Sequence, residues 1–485
     1  MTLRTAAGTL IFALCTSVIM ATPKASRSVA QTSPSVGSKS EFIFVEAPVV
    51  AAGALTERFP QGSRLVRLTS GTKPSQVVNL TPDFFAAADP QVSFEGSKVL
   101  FAAQKDARSR WQVWEMKTDG SDKRQITNCA DDCLRPAFLP RGEIVYTEIT
   151  KRGDGSSRVV VSNEDGSDPR VITFGPGNFQ VETVLRNGLI LVSAAAPLVP
   201  STSTDGSREL YTVRVDGTGL TSFRCDHQQR AVRTEAQELA DGSVVFVKNT
   251  SAQGQVGGEL AEIRRGALHN SVITPLQAVS WSPRRLEGQR LIVARKVVTA
   301  QNHEPKFDLY AFDSVSGTFS GPLYRDKDFS SVQAVPIAAH PVPRAYWSTL
   351  NPNLNVGYFI CLDAYQAADA PQGRITASIA QVRVLALDSE TNREKNLGEA
   401  PVEKDGSFFV AVPPDKPVRF ELLDSKGQVL RAQRSWVWTR PGEERGCAGC
   451  HEDKTLAPEN RWPETLRRFD TPTRLGVSAP AQAAH

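Results

Sequence analysis

A chain of 485 residues is long for a single hydrophobic core and implies two or three domains. Its 56 Lys and Arg stand against 52 Asp and Glu, a net charge of only +4 with no concentrated basic block. That balance excludes nucleic acid as the partner.

The N-terminus has a positive start at Arg4, an apolar run from Ala6 to Met20, and small residues at two cleavage points, after Ala21 or after Ser28-Val29-Ala30. Residues 1–30 read as a secretory signal peptide, placing the protein in the periplasm or outside the cell with no membrane span after cleavage. The competing reading is an uncleaved anchor helix, but the apolar run is shorter than the roughly 20 residues a spanning helix needs, and Thr and Ser interrupt it. Cys15 follows Leu14, where a lipid-attachment site would carry a small residue. From Thr22 to Lys39 the chain is rich in Ser, Thr, Pro and Ala, a flexible lead-in.

Residues 42–340 repeat. Short apolar strands end in a turn glycine at Gly71, Gly120, Gly166, Gly217, Gly266 and Gly317, at steps of 46 to 51 residues. Three of those turns are Asp-Gly, which tolerates the positive φ of a tight hairpin. The return strand closes on Ile126-Thr127, Ile172-Thr173, Leu220-Thr221 and Ile273-Thr274. An earlier hairpin in each unit, such as that around Glu95-Gly96 or Asp241-Gly242, completes four strands per unit. Six such units predict an all-β fold, a six-bladed β-propeller, because a lone four-stranded blade leaves faces that only stacking around an axis can cover. The first unit has only its second hairpin, so Ser331 to Pro341 is expected to supply missing strands and close the ring. With these glycines, Asp89-Pro90-Gln91-Val92-Ser93-Phe94 resembles the TolB-like, WD40-related repeat, which implies fold and says little of function.

The propeller holds His227, His269 and His303, with His340 just after it. Their spacing is compatible with one shared face, and equally with scattered loop histidines. A G-x-S-x-G nucleophile, a phosphate loop and an H-E-x-x-H pair are absent from the sequence. Four cysteines outside the signal and the C-terminal motif, Cys129, Cys133, Cys225 and Cys361, permit two disulfides in an oxidising compartment. Cys129 with Cys133 is the nearest pair, the alternative being two free thiols.

At His340-Pro341-Val342-Pro343 the pattern changes to a stiff linker. Residues 341–440 read as a small β-sandwich with strands at 356–362, 379–387, 407–412, 418–423 and 429–439. In the last of these, period two puts Arg434, Trp436, Trp438 and Arg440 on one face. Two indoles and two guanidiniums there suit a macrocycle and its propionates; the alternative is that the tryptophans are buried between sandwich and propeller.

Residues 441–470 carry Cys447-Ala448-Gly449-Cys450-His451. Two thiols in C-x-x-C-H spacing add to the vinyl groups of one haem, and the following imidazole is placed to bind the iron from the proximal side. The sequence therefore predicts one covalent haem c on Cys447 and Cys450, with His451 on the iron. The bland readings are two ordinary cysteines beside a surface histidine, or a zinc half-site, which would need further Cys or His nearby. Three methionines exist, Met1, Met20 and Met116, and none follows the motif, so a self-contained cytochrome c fold is not expected. The sixth ligand is then His227, His269, His303, His340, a partner's residue, or nothing. Residues 471–485, rich in Ala and Pro, read as a disordered tail.

The run Gly398 to Val410, with Arg419 to Asp424, Arg434-Ser435-Trp436, Arg440-Pro441-Gly442-Glu443 and Gly446 to Glu452, resembles the middle domain of the hydrazine synthase α-subunit family. That resemblance implies a propeller followed by a β-rich domain carrying haem c. It does not extend to hydrazine synthesis, since the family's synthase has a second C-x-x-C-H in a further domain, and none is found in this sequence. Two classes of function follow. One is a periplasmic redox protein that transfers electrons to a partner protein or reacts with a small molecule at the haem. The other is a propeller scaffold in which haem is structural.

Overall fold

The computed structural model describes residues 41–69, 76–150, 156–195, 207–223, 231–250, 256–264, 271–274, 278–296, 306–367, 370–388, 391, 393–433, 435–450 and 459–477. The signal peptide, Cys15, Cys225, His227, His269, His303, Arg434 and His451 lie outside these residues.

The protein is all-β, a six-bladed propeller followed by a small sandwich. Blade 1 is Ala86–Val92, Lys98–Gln104, Gln112–Lys117 and Arg124–Gln125; blade 2 is Asp132–Leu139, Glu143–Ile149, Ser157–Asn163 and Arg170–Val171. Blade 3 comprises Gln180–Val184, Ile190–Ala195, Arg208–Val213 and Thr221–Ser222, and blade 4 Val232–Glu238, Val244–Asn249, Glu259–Ile263 and Ser271–Val272. Blade 5 is Ser280–Glu287, Arg290–Lys296, Phe307–Asp313 and Thr318–Tyr324. Blade 6 joins the two ends of the ring: Ser330–Pro336 pairs antiparallel with Glu41–Ala47, followed by Arg64–Thr69 and Gln76–Asn79. The innermost strands contact one another in the order of the blades, and that of blade 6 returns to blade 1.

The repeat signature has a structural cause. In four blades the threonine of the Ile-Thr or Leu-Thr step accepts a hydrogen bond from the backbone N–H of the third strand: Leu65 to Thr81, Val113 to Thr127, Val159 to Thr173 and Leu260 to Thr274, at 2.9 to 3.0 Å. The turn glycine of the next blade then packs on the apolar partner. A Cβ on Gly166 (φ +85°) would lie 2.0 Å from the Ile126 carbonyl oxygen, and one on Gly217 2.8 Å from that of Ile172. Glycine at these turns thus serves both the positive φ and the seam between blades.

Each innermost strand also breaks register, at Asp89-Pro90, Arg135-Pro136, Glu182, Glu235-Ala236, Ser282-Pro283 and Gln333-Ala334, and that of blade 5 does so a second time between Arg285 and Glu287. Asp89, Arg135, Glu235, Ser282 and Gln333 all have positive φ, between 44° and 55°, which is rare for residues other than glycine. The Asp-Pro step of the repeat is therefore a bulge, and it turns a polar side chain out of the ladder at the same place in blade after blade.

The linker is laid across the propeller. The His340 N–H donates to the Phe94 carbonyl of blade 1, the Arg141 guanidinium of blade 2 lies 3.4 Å over the Trp347 ring, and the Arg344 N–H donates to the Arg186 carbonyl of blade 3. The sandwich has one sheet of Glu444–Cys447, Gly357–Cys361, Phe408–Val412 and Thr473–Arg474, and another of Arg393–Pro401, Gln381–Asp388, Val418–Leu423 and Val429–Ala432. Phe359, Val410 and Val412 meet Val382, Val384 and Leu422 between them.

Three expectations need correction. The strand expected over 429–439 leaves the ladder after Ala432, because Trp438 and Arg440 engage the propeller. The segment expected to attach haem is not separate from the sandwich: Glu444–Cys447 is an edge strand paired parallel to Gly357–Cys361. The tail expected from 471 is ordered as far as 477 among the described residues, since Thr473 and Arg474 pair with Val410 and Ala411 and Leu475 is buried in the sandwich core.

Candidate functional site

The motif begins where the Glu444–Cys447 strand ends. Cys447 stands opposite Cys361 in the parallel ladder, and the Leu362 N–H donates to the Cys447 carbonyl at 2.9 Å. The chain then turns under Gln366, whose carbonyl accepts the Cys450 N–H at 2.9 Å. Gly449 is buried in that turn, and a Cβ there would lie 2.6 Å from the Gln366 carbonyl oxygen. Only glycine allows the x-x pair to pass so close to the Gln366 backbone. Cys447 and Cys450 are half-buried and pack on the apolar core of the sandwich, with Cys361 beside them. Burial pushes the Cys361 thiol well up, and the neighbouring Cys447 and Cys450 add to that, so Cys361 is a protonated apolar wall.

Sequence reasoning did not single out Arg461, Asp363, Arg374, Trp462 or Phe469. Arg461 donates to the Asp405 carbonyl at 2.6 Å and lies 3.7 Å from Asp363, which also pairs with Arg374 at 2.9 Å. Beside Arg461, Trp462 is 65% exposed, and Phe469 is fully exposed. A solvated indole shortly after the motif is the signal that could have found them.

The Arg434, Trp436, Trp438 and Arg440 face behaves differently, with Arg434 outside the described residues. Trp438 is completely buried in the blade 2 and blade 3 core, its indole N–H donating to the Gly217 carbonyl at 3.0 Å and its ring edge-on to Phe174 and Phe179. Arg440 donates to the Asp216 carbonyl and to the Asp415 carboxylate, at 2.8 and 2.6 Å. Trp436 is buried with the Arg419 guanidinium 5.9 Å from its ring. Glu443 accepts from Gly219 N–H, and Arg445 donates to the Leu220 carbonyl, so one blade 3 hairpin is gripped at both edges. Burial raises Glu443 and Asp415 above the ordinary carboxylate range. Trp438 and Arg440 thus form the seam of sandwich and propeller rather than a wall around the motif.

His340 contacts Ala338 and Phe94 of blade 1, whereas the motif's strand is tied to blade 3 through Arg445. The structure does not bring His340 to Cys447. Among the described residues no group of three or more His, Cys, Asp or Glu is placed to hold a metal ion. Cys129 and Cys133 are joined in a disulfide in the propeller, and Met116 is buried in the propeller core.

Comparison with known proteins adds to this geometry. Residues 357–452 match the hydrazine synthase alpha subunit middle domain. Hydrazine synthase subunit alpha of Kuenenia stuttgartiensis is 22% identical over 546 aligned residues, covering 86% of this chain. The chain is similar to the hydrazine synthase α subunit. It spans 66% of that relative's own length. The structure of Kuenenia stuttgartiensis hydrazine synthase superposes with a TM-score of 0.77 at 18% identity, covering 89% of this chain and 72% of that one. The likeness includes the propeller and the sandwich together. TolB from Acinetobacter baumannii, at a TM-score of 0.44 and 13% identity, covers 61% of this chain and 66% of its own. Among the described residues no helix is long and apolar enough to cross a membrane.

Proposed function

We propose that this chain is an exported protein carrying one covalent haem c on Cys447 and Cys450, with His451 on the iron, and that it transfers electrons or reacts with a small molecule there. The observation that carries this reading is the motif's setting. Two thiols in haem-attachment spacing sit half-buried at a strand end, on a turn that Gly449 keeps narrow, against the apolar core of the sandwich at Cys361. These residues fit the group: the cysteines are accessible for thioether formation, and the core excludes water from one side. Haem held there supplies one-electron redox chemistry or, with an open sixth position, a small-molecule site. In this reading Trp462 covers an apolar face, and Arg461 and Arg374 bring positive charge near the carboxylates a haem carries.

The propeller, locked to the sandwich by Trp438, presents the rest of its surface to a redox partner protein. Similarity to the hydrazine synthase alpha subunit supports a haem-bearing middle domain in this family setting. The test is an optical and EPR spectrum of protein exported with the haem c maturation apparatus. Covalent haem with a measurable reduction potential is the expected result, and CO binding reports whether the sixth position is open. A Cys447→Ala protein that keeps its fold and its partner binding while the wild type shows no redox couple would favour a scaffold and contradict the proposal.

A further inference from the structure

The bulges of the six innermost strands meet at the propeller axis. Asp89 exchanges two hydrogen bonds with Gln333, at 2.7 and 2.9 Å, and its carboxylate accepts the Arg135 N–H. Arg135 pairs with Glu182 at 2.7 Å and Glu235 at 2.9 Å, while Gln333 N–H donates to the Ser282 hydroxyl. Arg284 of blade 5 approaches Glu235 at 3.5 Å. Arg58, on the loop between Glu41–Ala47 and Arg64–Thr69, approaches the same carboxylate at 3.7 Å. All six blades enter one polar ring.

That ring is not complete in itself. Among the described residues Arg58 Nε, Arg284 Nε and Glu182 Oε1 are buried without a hydrogen-bond partner, and Glu182 and Arg284 are only 5% and 8% exposed. Buried polar atoms in a native fold are nearly always satisfied, so each orphan calls for something that fills it. Charge points the same way. Among the described residues the guanidiniums of Arg58, Arg135 and Arg284 balance Asp89, Glu182 and Glu235, and Arg208, near enough to feel Glu182, Arg135 and Arg58, donates there only to neutral oxygens of Ser193 and Asn178. One positive charge is left over. Five positive-φ bulges hold these groups in place, the kind of backbone strain that gathers at binding sites.

We propose that the propeller axis binds one small, singly charged oxyanion that carries a hydroxyl, of the hydrogencarbonate or dihydrogen phosphate kind. Its charged oxygens accept from Arg58 and Arg284, and its hydroxyl donates to Glu182 Oε1. A neutral ligand would leave the excess charge, and a fully deprotonated dianion would set a bare oxygen against the Glu182 carboxylate. Entry is from the Arg58 side: antiparallel strands alternate direction, so the Arg58 loop lies on the face opposite the turns that carry the sandwich. Arg58 keeps 20% of its side chain exposed there.

The test is isothermal titration of the full-length protein with sodium phosphate near neutral pH and with sodium hydrogencarbonate, chloride and sulfate serving as controls. One saturable site for the hydroxyl-bearing anions is expected. Arg58→Ala should weaken it about tenfold or more with the fold retained by circular dichroism, the melt falling because Glu235 loses one of its three cations. Glu182→Gln, which turns the acceptor into a donor, should shift preference toward sulfate. No saturable binding of either probe, equal binding of sulfate by the wild type, or unchanged affinity in both variants would overturn the proposal and leave water as the occupant.

Discussion

Gly166 and Gly142 separate two costs that a single glycine usually combines. Both have positive φ, +85° and +72°, but a Cβ on Gly166 would strike the Ile126 carbonyl whereas one on Gly142 meets nothing within 4 Å. Gly142→Ala should cost about 1 kcal/mol from backbone strain alone. Gly166→Ala must also part blades 1 and 2 and should lower the melting temperature well beyond that; equal melts would show that the seam contact is unimportant. Thr173→Val, which leaves the Val159 N–H buried without its 2.9 Å acceptor, should cost about 1–3 kcal/mol by denaturant titration. The Ile-Thr step was legible in the sequence as a recurrence. Its reason was not, because the threonine hydroxyl and the N–H it serves lie about 14 residues apart and meet only once the register is set.

At the scale of elements, strands with strong apolar character and Asp-Gly turns were read close to their true bounds, as with Val418–Leu423. Two others escaped for physical reasons. Arg393–Pro401 is a largely exposed edge strand whose residues alternate no apolar face. Glu444–Cys447 has little strand propensity and exists because Gly357–Cys361, more than eighty residues earlier, offers it a parallel edge. The period-two reading of 434–440 presumed a strand that ends at Ala432 and left the occupant of that face open; at Trp438 and Arg440 the occupant is the blade 3 hairpin. Trp438→Ala should therefore remove about 3–5 kcal/mol and loosen the sandwich from the propeller. Limited proteolysis would register this as new cleavage in the linker around 341–356, with the six blades still resistant. Cleavage confined to the sandwich interior would contradict the seam role.

Across the whole molecule, charge is concentrated where the blades converge. Burial alone would raise Glu235, but Arg135, Arg284 and Arg58 together hold it down to about 2, below its ordinary 4.5. A depressed carboxylate contributes stability that is fully present above pH 4.5 and is lost as pH falls toward 2. Thermal melts should fall across that window, and Glu235→Gln should lower the melting temperature at neutral pH by the equivalent of about 3–5 kcal/mol and flatten the acid slope. A variant with an unaltered acid slope would place the acid sensitivity elsewhere.

The Cys447–Cys450 part of the C-x-x-C-H motif follows an edge strand of the sandwich and turns around Gly449 under Gln366. The central claim is that this turn carries haem. It is tested most directly by producing the protein with the haem c maturation apparatus and assaying denatured, acid-acetone-washed chain by pyridine haemochrome and intact mass. The account predicts one covalently bound haem per wild-type chain and none in Cys447→Ala/Cys450→Ala. Wild-type protein that is exported and folded yet free of covalent haem would contradict it.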